Sequence, residues 1–213
     1  MSWVSRMKLN GKIAELLGAI IGDGNLWSDD RHYRIELTGD PSLDASYFQY
    51  LSRIISNELG GNPRTKIRQR GLRIRVCSKE LFEYFSDDLG IPVGSGKAKR
   101  VKIPKDVIRA HWKIKSRCLR GIADSDGSFF LSDKGYRRDY PTIEITTISK
   151  DLATQITAIL EDRDFRVGFR DWVLREDWNT RYIISINGDE MYKKWIGEIG
   201  FSNPRHHQKL NKI

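Results

Sequence analysis

A nine-residue pattern occurs twice in this chain of 213 residues, and it constrains the fold more than any other sequence feature. The first copy, LLGAIIGDG, covers residues 16–24, and the second, LRGIADSDG, covers residues 119–127. Each copy is an apolar or small run that ends in a carboxylate followed by glycine. The two final carboxylates, Asp23 and Asp126, are separated by about half the length of the chain. Such repetition predicts a molecule built from two copies of one structural unit.

Hydrophobic periodicity predicts the same order of elements around each copy. In residues 11–89 it predicts a helix, a strand pair, a second helix, a second strand pair and a closing helix. Residues 113–213 repeat this order. We therefore predict an α+β fold of two pseudo-symmetric αββαββα halves, each with an antiparallel sheet. The predicted divisions are 1–89, a basic connector at 90–112 that is rich in glycine, proline and lysine, and 113–213 with a basic tail.

Small residues four positions apart predict how the two repeated helices meet. The first copy has Gly18 and Gly22, and the second has Gly121 and Ser125 at the same places. Residues at i and i+4 share one face of a helix, and small side chains there let two backbones approach closely. We expect the two helices to pack on each other about a pseudo-twofold axis.

That packing brings Asp23 and Asp126 together at the C-terminal ends of both helices. Each carboxylate then faces the negative end of a helix dipole and a second carboxylate, and both contacts are unfavourable. A divalent cation would remove the repulsion, and oxygen ligands with a polyanionic partner favour Mg²⁺. A single Asp-Gly after an apolar run is often only a turn. Two copies at equivalent places favour a functional site.

Composition narrows the class of partner. The chain carries 37 Lys and Arg against 28 Asp and Glu, a net charge of +9, which favours a polyanion such as nucleic acid. Two cysteines without a CxxC pair, and four histidines without ligand spacing, give poor support for a disulfide scaffold or a zinc site. No apolar segment has the length of a membrane span or a signal peptide, so we expect a soluble, intracellular protein.

The predicted strands provide a basic surface. Alternating residues of the second strand pair place basic side chains on one face with no acidic residue interleaved, a pattern that favours phosphates opposite: Arg64, Lys66, Arg68, Arg70, Arg73 and Arg75. Arg34 lies on an earlier strand. The second half has Arg166, Arg170, Arg175 and Arg181, interrupted by Asp171, Glu176 and Asp177. We expect the strands to read bases in the major groove, while Lys97, Lys99, Arg100 and Lys102 of the connector contact phosphates.

The doubled motif resembles that of the LAGLIDADG homing endonucleases, in their single-chain form with two motifs. The first copy keeps its first leucine, both glycines and the final Asp-Gly, with Ile21 at the place of the pattern's first aspartate. The second copy keeps both acids, Asp124 and Asp126. The resemblance extends over nearly the whole chain through the repeated order of elements.

Several expectations follow from this resemblance. It implies that Asp23 and Asp126, with the backbone carbonyls of Gly22 and Ser125, bind Mg²⁺. Mn²⁺ is expected to substitute, and Ca²⁺ to support DNA binding without cleavage. It implies basic residues around the attacking water, for which position in the strands suggests Arg75 and Lys150. The expected substrate is a long, asymmetric double-stranded DNA site, cut once in each strand by a monomer.

Three functions remain open at this point. The leading one is a site-specific DNA endonuclease of an intron or intein. The second is a binder of the same fold that does not cut, either an RNA maturase or a transcriptional regulator; retention of both acids disfavours it. The third is a structural or interaction protein with a basic surface.

Overall fold

The computed structural model describes residues 8–29, 31–173 and 179–206. The first half contains helix α1 (Gly11–Asp23), strands β1 (Gly24–Ser28) and β2 (Tyr33–Gly39), helix α2 (Ala45–Leu59), strands β3 (Arg64–Arg68) and β4 (Gly71–Val76), and helix α3 (Lys79–Glu83). A π-helical turn, Tyr84–Asp88, continues α3. Asn10 caps α1, since its side chain accepts hydrogen bonds from the backbone nitrogens of Lys12 and Ile13.

Two short helices, α4 (Lys97–Arg100) and α5 (Lys105–Ile108), lie between the repeated units. The second unit contains α6 (Trp112–Asp126), β5 (Gly127–Ser132), β6 (Tyr140–Thr147), α7 (Lys150–Glu161), β7 (Val167–Trp172), β8 (Arg181–Asn187) and α8 (Asp189–Glu198), followed by a 3-10 turn at Pro204–His206. None of the helices in the described part of the chain is both long and apolar enough to cross a membrane.

Each half forms one antiparallel sheet of four strands, in the orders β1-β2-β4-β3 and β5-β6-β8-β7. Helices cover one face of each sheet, where alternate residues such as Leu37, Ile74, Ile143 and Ile184 are buried. Helices α1 and α6 pack against each other between the sheets. The predicted α+β fold, with two αββαββα halves joined through the repeated helices, is confirmed. The domain boundaries stay a prediction.

The hairpin between β3 and β4 corrects the position of one predicted DNA contact. Strand β3 ends at Arg68, and the turn residues Gln69 and Arg70 have φ values of 50° and 65°. Positive φ at both central residues is what a two-residue hairpin requires. Arg70 therefore lies in the turn and does not continue the alternation of Arg64, Lys66 and Arg68.

The predicted connector contacts both halves. The backbone nitrogen of Gly94 donates to the carbonyl of Leu26 at 2.9 Å. Further along, the hydroxyl of Ser149 donates to the carbonyl of Val101 at 2.8 Å, and the nitrogen of Ile103 donates to Gln155 at 2.8 Å. These hydrogen bonds fix the connector to both halves of the molecule.

Candidate active site at the ends of the paired helices

Glycine sets the distance between α1 and α6. A Cβ atom on Gly18 would lie 2.1 Å from the carbonyl oxygen of Cys118, and one on Gly121 would lie 2.0 Å from that of Glu15. No side chain fits into either space, because both neighbours are backbone atoms of the opposite helix. The two helices therefore meet backbone to backbone at these glycines.

The same close approach continues to the ends of the helices, where the two acids lie. A Cβ atom on Gly22 would be 2.6 Å from the Cβ of Ser125 and 3.2 Å from Oδ2 of Asp126. Asp23 and Asp126 are the last residues of α1 and α6. The fold thus places the final carboxylate of each sequence motif beside the other helix, and both acids share one site.

Burial and mutual repulsion change the protonation of these acids. Burial, together with the charge of Asp23, raises the pKa of Asp126 to about 7, against the opposing effects of Lys97 and Arg205. Burial likewise raises the pKa of Asp23, with Asp44 acting in the same direction. Two partly desolvated carboxylates at one place hold protons more tightly than exposed acids do.

Lys97 stabilises the end of α1. Its Nζ donates to the carbonyl oxygens of Ile20, Ile21 and Gly22 at 2.8, 2.7 and 3.0 Å. The carbonyls of Ile21 and Gly22 have no partner within the helix because the chain leaves the helix after Asp23. That of Ile20 also accepts a hydrogen bond from the backbone nitrogen of Gly24. Burial lowers the pKa of Lys97 to about 8, although both acids raise it. The prediction that Lys97 contacts DNA phosphates from an exposed connector does not fit this buried position.

Arg205 stabilises the end of α6 as Lys97 stabilises the end of α1. Its Nη2 donates to the carbonyl oxygens of Asp124 and Ser125, both at 2.7 Å. Sequence analysis missed this residue, which lies about 80 positions from the motif it contacts. The two helix ends are thus each bound by one cation, Lys97 or Arg205, that comes from the segment following the corresponding sheet and helix.

Asp124, the first acid of the second motif, has a structural position. It is buried, and its carboxylate accepts hydrogen bonds from the backbone nitrogens of Ser202 and Asn203, both at 3.0 Å. The Asn203 amide also donates to Asp44 of the first half at 2.7 Å. Asp124 therefore helps to hold the C-terminal segment across the interface, and Ile21 fills the equivalent place in α1 with a buried apolar side chain.

The basic strand face contains an acidic residue that sequence analysis overlooked. Glu36 on β2 accepts hydrogen bonds from Arg73 at 3.0 Å and from Arg75 at 2.9 and 2.7 Å. Burial raises the pKa of Glu36, but the Arg75 hydrogen bond and nearby arginine charges lower it below the usual value. The expectation that these arginines have no acidic partner is wrong, because β2 lies next to β4 in the sheet.

The remaining predicted basic residues differ in position. Arg64, Lys66 and Arg68 are exposed along β3, and Arg34 lies 4.6 Å from the centre of the Trp27 ring. In the second half, Arg170 pairs with Glu144 at 2.9 Å and Arg181 begins β8. Arg166 precedes β7 and pairs with Glu190 of α8, so the structure directs it away from the strand face.

Neither of the two basic residues predicted to lie around the attacking water has a described contact with the ends of α1 and α6. Lys150 is the exposed first residue of α7, and the cations that reach the helix ends are Lys97 and Arg205. Arg75 is held by Glu36. Arg175, Glu176, Asp177 and the basic tail at 207–213 lie outside the described residues.

Comparison with known proteins identifies the fold. A model of the LAGLIDADG-like domain matches residues 113–200. The solved structure of I-DmoI in complex with DNA and Ca resembles this chain with a TM-score of 0.67 and 20% identity, over 95% of this chain and 98% of that one. The chain has the two-motif LAGLIDADG fold.

The chain is also similar to proteins that are not named as endonucleases. The N-terminal LAGLIDADG domain of DUF199/WhiA matches with a TM-score of 0.56 and 18% identity, over 92% of this chain and 88% of that one. Among curated proteins, the replication factor C small subunit of Thermococcus kodakarensis is 30% identical over 94% of this chain, and that of Methanocaldococcus jannaschii is 28% identical over 96%. The chain spans only 20% and 10% of the lengths of these two relatives.

The ends of the LAGLIDADG helices fit a divalent cation in part. The two carboxylates provide the oxygen ligands that Mg²⁺ takes in small number, and no ion pair of 4 Å or less involves either acid within the described ranges. The carbonyls of Gly22 and Ser125 are different, because each already accepts a hydrogen bond from a cation. Those side chains would have to shift before the same oxygens could bind a metal. Among the described residues, no group of three or more His, Cys, Asp or Glu side chains is suited to a metal.

Removing Lys97 is expected to destabilise the first LAGLIDADG helix. A Lys97→Met chain keeps the length of the side chain but removes its hydrogen bonds to three carbonyls, of which those of Ile21 and Gly22 depend on Lys97. Hydrogen bonds to a charged group typically contribute about 1.5–3 kcal/mol, so we expect the free energy of unfolding in urea to fall by about 2–3 kcal/mol. Lys99→Met, an exposed position on the same short helix, is the matched control and should change it little. Equal effects of the two substitutions would contradict the buried position of Lys97.

The LAGLIDADG acids also predict how stability depends on pH in metal-free buffer. The folded protein holds a proton on Asp126 up to about pH 7, whereas an exposed aspartate releases it near pH 3.8. Between these values the folded state binds more protons than the unfolded state, so stability falls as pH rises. We expect Tm to be roughly 5 °C higher at about pH 5 than at about pH 7.5.

The Asp126→Asn chain provides the comparison for this measurement. Its Tm should depend less on pH across the same range, because the titrating carboxyl is absent. Some dependence should remain, since burial also raises the pKa of Asp124 to about 7. A Tm that rises from about pH 5 to 7.5 in the unaltered protein would contradict the raised pKa values.

Proposed function

We propose that this protein is a site-specific double-strand DNA endonuclease that hydrolyses one phosphodiester bond in each strand of a long, asymmetric target. The observation that carries the proposal is the pairing of Asp23 and Asp126 at one site, at the ends of the two packed helices and with raised pKa values. A fold that served binding alone would be relieved of this repulsion by asparagine at either position.

The two sheets supply a surface for duplex DNA on either side of this site. Their faces without helices carry the basic residues of β3, β4, β7 and β8. A strand pair fits the major groove, and arginine reads guanine there through two hydrogen bonds. I-DmoI, which has the same fold, has been solved with DNA in the presence of Mn and of Ca. We therefore propose double-stranded DNA as the partner, bound by one copy of the chain.

Asp23 and Asp126 would hold the metal, with Mg²⁺ as the proposed cofactor, Mn²⁺ as a substitute and Ca²⁺ supporting binding only. When bound, such an ion lowers the pKa of water and stabilises the leaving oxygen of a phosphodiester. Both acids must first lose their protons, so activity should rise with pH through about 7, the pKa of Asp126.

The two cations at the helix ends have a separate role in this proposal. Lys97, with a pKa of about 8, can exchange a proton near neutral pH beside the scissile phosphate. Arg205 stays charged and is fixed by two carbonyls, so it offers a positive charge without accepting a proton. The sites on the two strands would therefore have similar acids but different neighbouring cations, only one of which can exchange a proton.

The matched relatives favour a mobile genetic element as the source. Segments similar to nearly the whole chain occur within a replication factor and within a tRNA-splicing ligase, RtcB of Methanopyrus kandleri, which is 23% identical over 90% of this chain. In each relative the segment is about a fifth of the length or less. One module inside hosts with unrelated names is typical of an inserted sequence, and we propose intron or intein mobility on this basis.

The alternative is a nucleic-acid binder of the same fold that does not cut. The similarity to the LAGLIDADG domain of DUF199/WhiA supports this alternative, because that protein has the same fold and is not named as an endonuclease.

A selection from a randomised double-stranded DNA library distinguishes the two. The protein is incubated with the library and Mg²⁺, and in parallel with Ca²⁺, and cut and bound molecules are sequenced. One long sequence cut in both strands only with Mg²⁺ is the expected result. Enrichment by binding without cutting under both conditions would contradict the endonuclease and favour the binder. Absence of both binding and cutting would contradict both.

A further inference from the structure

The two sheets differ strongly in the charge of their exposed faces. In the first sheet, the pairing register places Glu36 opposite Arg75, and Arg75 opposite Arg64, so these side chains share one face. The alternate residues, such as Leu37 and Ile74, are buried against the helices. Six basic side chains lie on the exposed face, accompanied by a single carboxylate, that of Glu36: Arg34, Arg64, Lys66, Arg68, Arg73 and Arg75. This set of residues is the N-terminal face.

Within the described residues, the equivalent face of the second sheet carries a much smaller net positive charge. By the same register its described strands carry two arginines, Arg170 and Arg181, and one carboxylate, Glu144. Lys134, in the loop after β5, lines the same face. Arg170 donates to Glu144 at 2.9 Å, which offsets one of the two arginine charges. This set of residues with its neighbours on β5–β8 is the C-terminal face.

Uncharged groups make up much of the rest of the described C-terminal face. Thr142 is buried, and its hydroxyl contacts the amide oxygen of the partly exposed Asn187 at 3.1 Å. The Asn187 amide nitrogen donates to the partly exposed Ser185 at 3.1 Å. The side chain of Thr142 also lies 2.9 Å from that of Ser132. At the outer strand, 47% of the surface of Trp172 is exposed. Thr142 thus holds Asn187 in place, Asn187 and Ser185 offer hydrogen-bonding groups, and Trp172 offers an apolar plane.

We propose that the two halves hold the duplex by different physical means, an inference that rests on the proposed function. The N-terminal face binds mainly by charge, contacting phosphates and guanine edges in a way that depends steeply on salt. The C-terminal face binds by hydroxyl and amide hydrogen bonds and by apolar contact with base edges, which give little affinity for a mismatched sequence. The N-terminal half thus anchors the protein on any duplex, and the C-terminal half adds affinity only at a matching site.

The salt dependence of binding tests this division. Affinity for a mixed-sequence duplex about three helical turns long is measured by fluorescence anisotropy in Ca²⁺, from about 50 to 200 mM salt. Three chains are compared with the unaltered one. The first carries Arg64→Gln, Lys66→Gln and Arg68→Gln on β3. The second carries Arg170→Gln and Arg181→Gln. The third is matched in charge to the first and carries Lys105→Gln, Arg109→Gln and Lys113→Gln, at the opposite end of α6 from Asp126.

Each phosphate contact contributes about 0.9 to the slope of log affinity against log salt. The β3 chain should therefore lose roughly 2 to 3 units of slope and most of its affinity for mixed-sequence DNA. The C-terminal and far-end chains should each change the slope by less than about 0.5. A loss near 0.9 per charge in the C-terminal chain, equal to that on β3, would overturn the inference.

A second variant tests the uncharged contacts. Trp172→Ala should lower the affinity for the selected target several-fold and leave both the salt slope and the mixed-sequence affinity unchanged. An unchanged affinity for the target would contradict the role of the C-terminal face. Failure of the unaltered protein to bind any duplex would contradict the proposed function itself, whereas equal losses on both faces would contradict only this inference.

Discussion

An Asp126→Asn chain should fold and bind DNA but make no double-strand break. The substitution removes one of two carboxylates that hold the metal and preserves the shape of the side chain. Metal-assisted hydrolysis depends on several kcal/mol of charge stabilisation, so we expect double-strand cutting to fall by at least about a thousandfold. The measurement is the rate of cleavage of the selected target in Mg²⁺, together with its affinity in Ca²⁺. Asp23→Asn should behave in the same way.

The same substitution should also make the metal-free protein more stable near neutral pH. Asp126 lies beside Asp23 in a partly desolvated site, and asparagine carries no charge to be repelled. Asp106→Asn, on exposed α5, changes the net charge equally and is the matched control. Loss of folding in the Asp126→Asn chain would show the acid to be structural, and retention of cutting would show that another group binds the metal.

A Gly121→Ala chain should lose stability severely. The added methyl group would lie 2.0 Å from the backbone oxygen of Glu15 and 2.8 Å from the backbone nitrogen of Ala19. A backbone neighbour cannot rotate away, so α1 and α6 would have to move apart along the central interface of the fold. We expect the free energy of unfolding to fall by about 3 kcal/mol or more, despite the gain of up to about 1 kcal/mol from the higher helix propensity of alanine. Urea unfolding measures the difference.

Gly197→Ala on α8 is the control that separates the steric clash from the higher helix propensity of alanine. Within the described residues, a Cβ atom there would meet nothing within 4 Å. The substitution should therefore be neutral or stabilising by up to about 1 kcal/mol. If Gly121→Ala were as harmless as Gly197→Ala, the two LAGLIDADG helices would not pack through their glycines.

The C-terminal segment gives the interface a second support. Asn203 donates to Asp44 of the first half, and Arg205 contacts Asp44 at 3.2 Å as well as the carbonyls at the end of α6. Ser202 also donates a hydroxyl hydrogen bond to buried Glu15 on α1. Residues after the last helix thus join the two halves, and the charge of Arg205 near Asp23 lowers the pKa that burial raises.

The amino-acid sequence by itself determined the repeated architecture and the location of its acids. The apolar runs that end in Asp23 and Asp126 predict two buried helices, and the glycines four residues apart predict their contact, because both depend on local periodicity. The alternation of Arg64, Lys66 and Arg68 predicts an exposed basic strand for the same reason.

Only the tertiary structure decided which charges meet. Lys97 lies more than 70 residues from the carbonyls it contacts, and Arg205 lies about 80 from those at α6. Glu36 meets Arg75 because β2 and β4, separated by a helix and a strand, are neighbours in the sheet. Periodicity carries no information about such pairings. They depend on which elements lie side by side, and burial between those elements is what raises the pKa of the two acids and lowers that of Lys97.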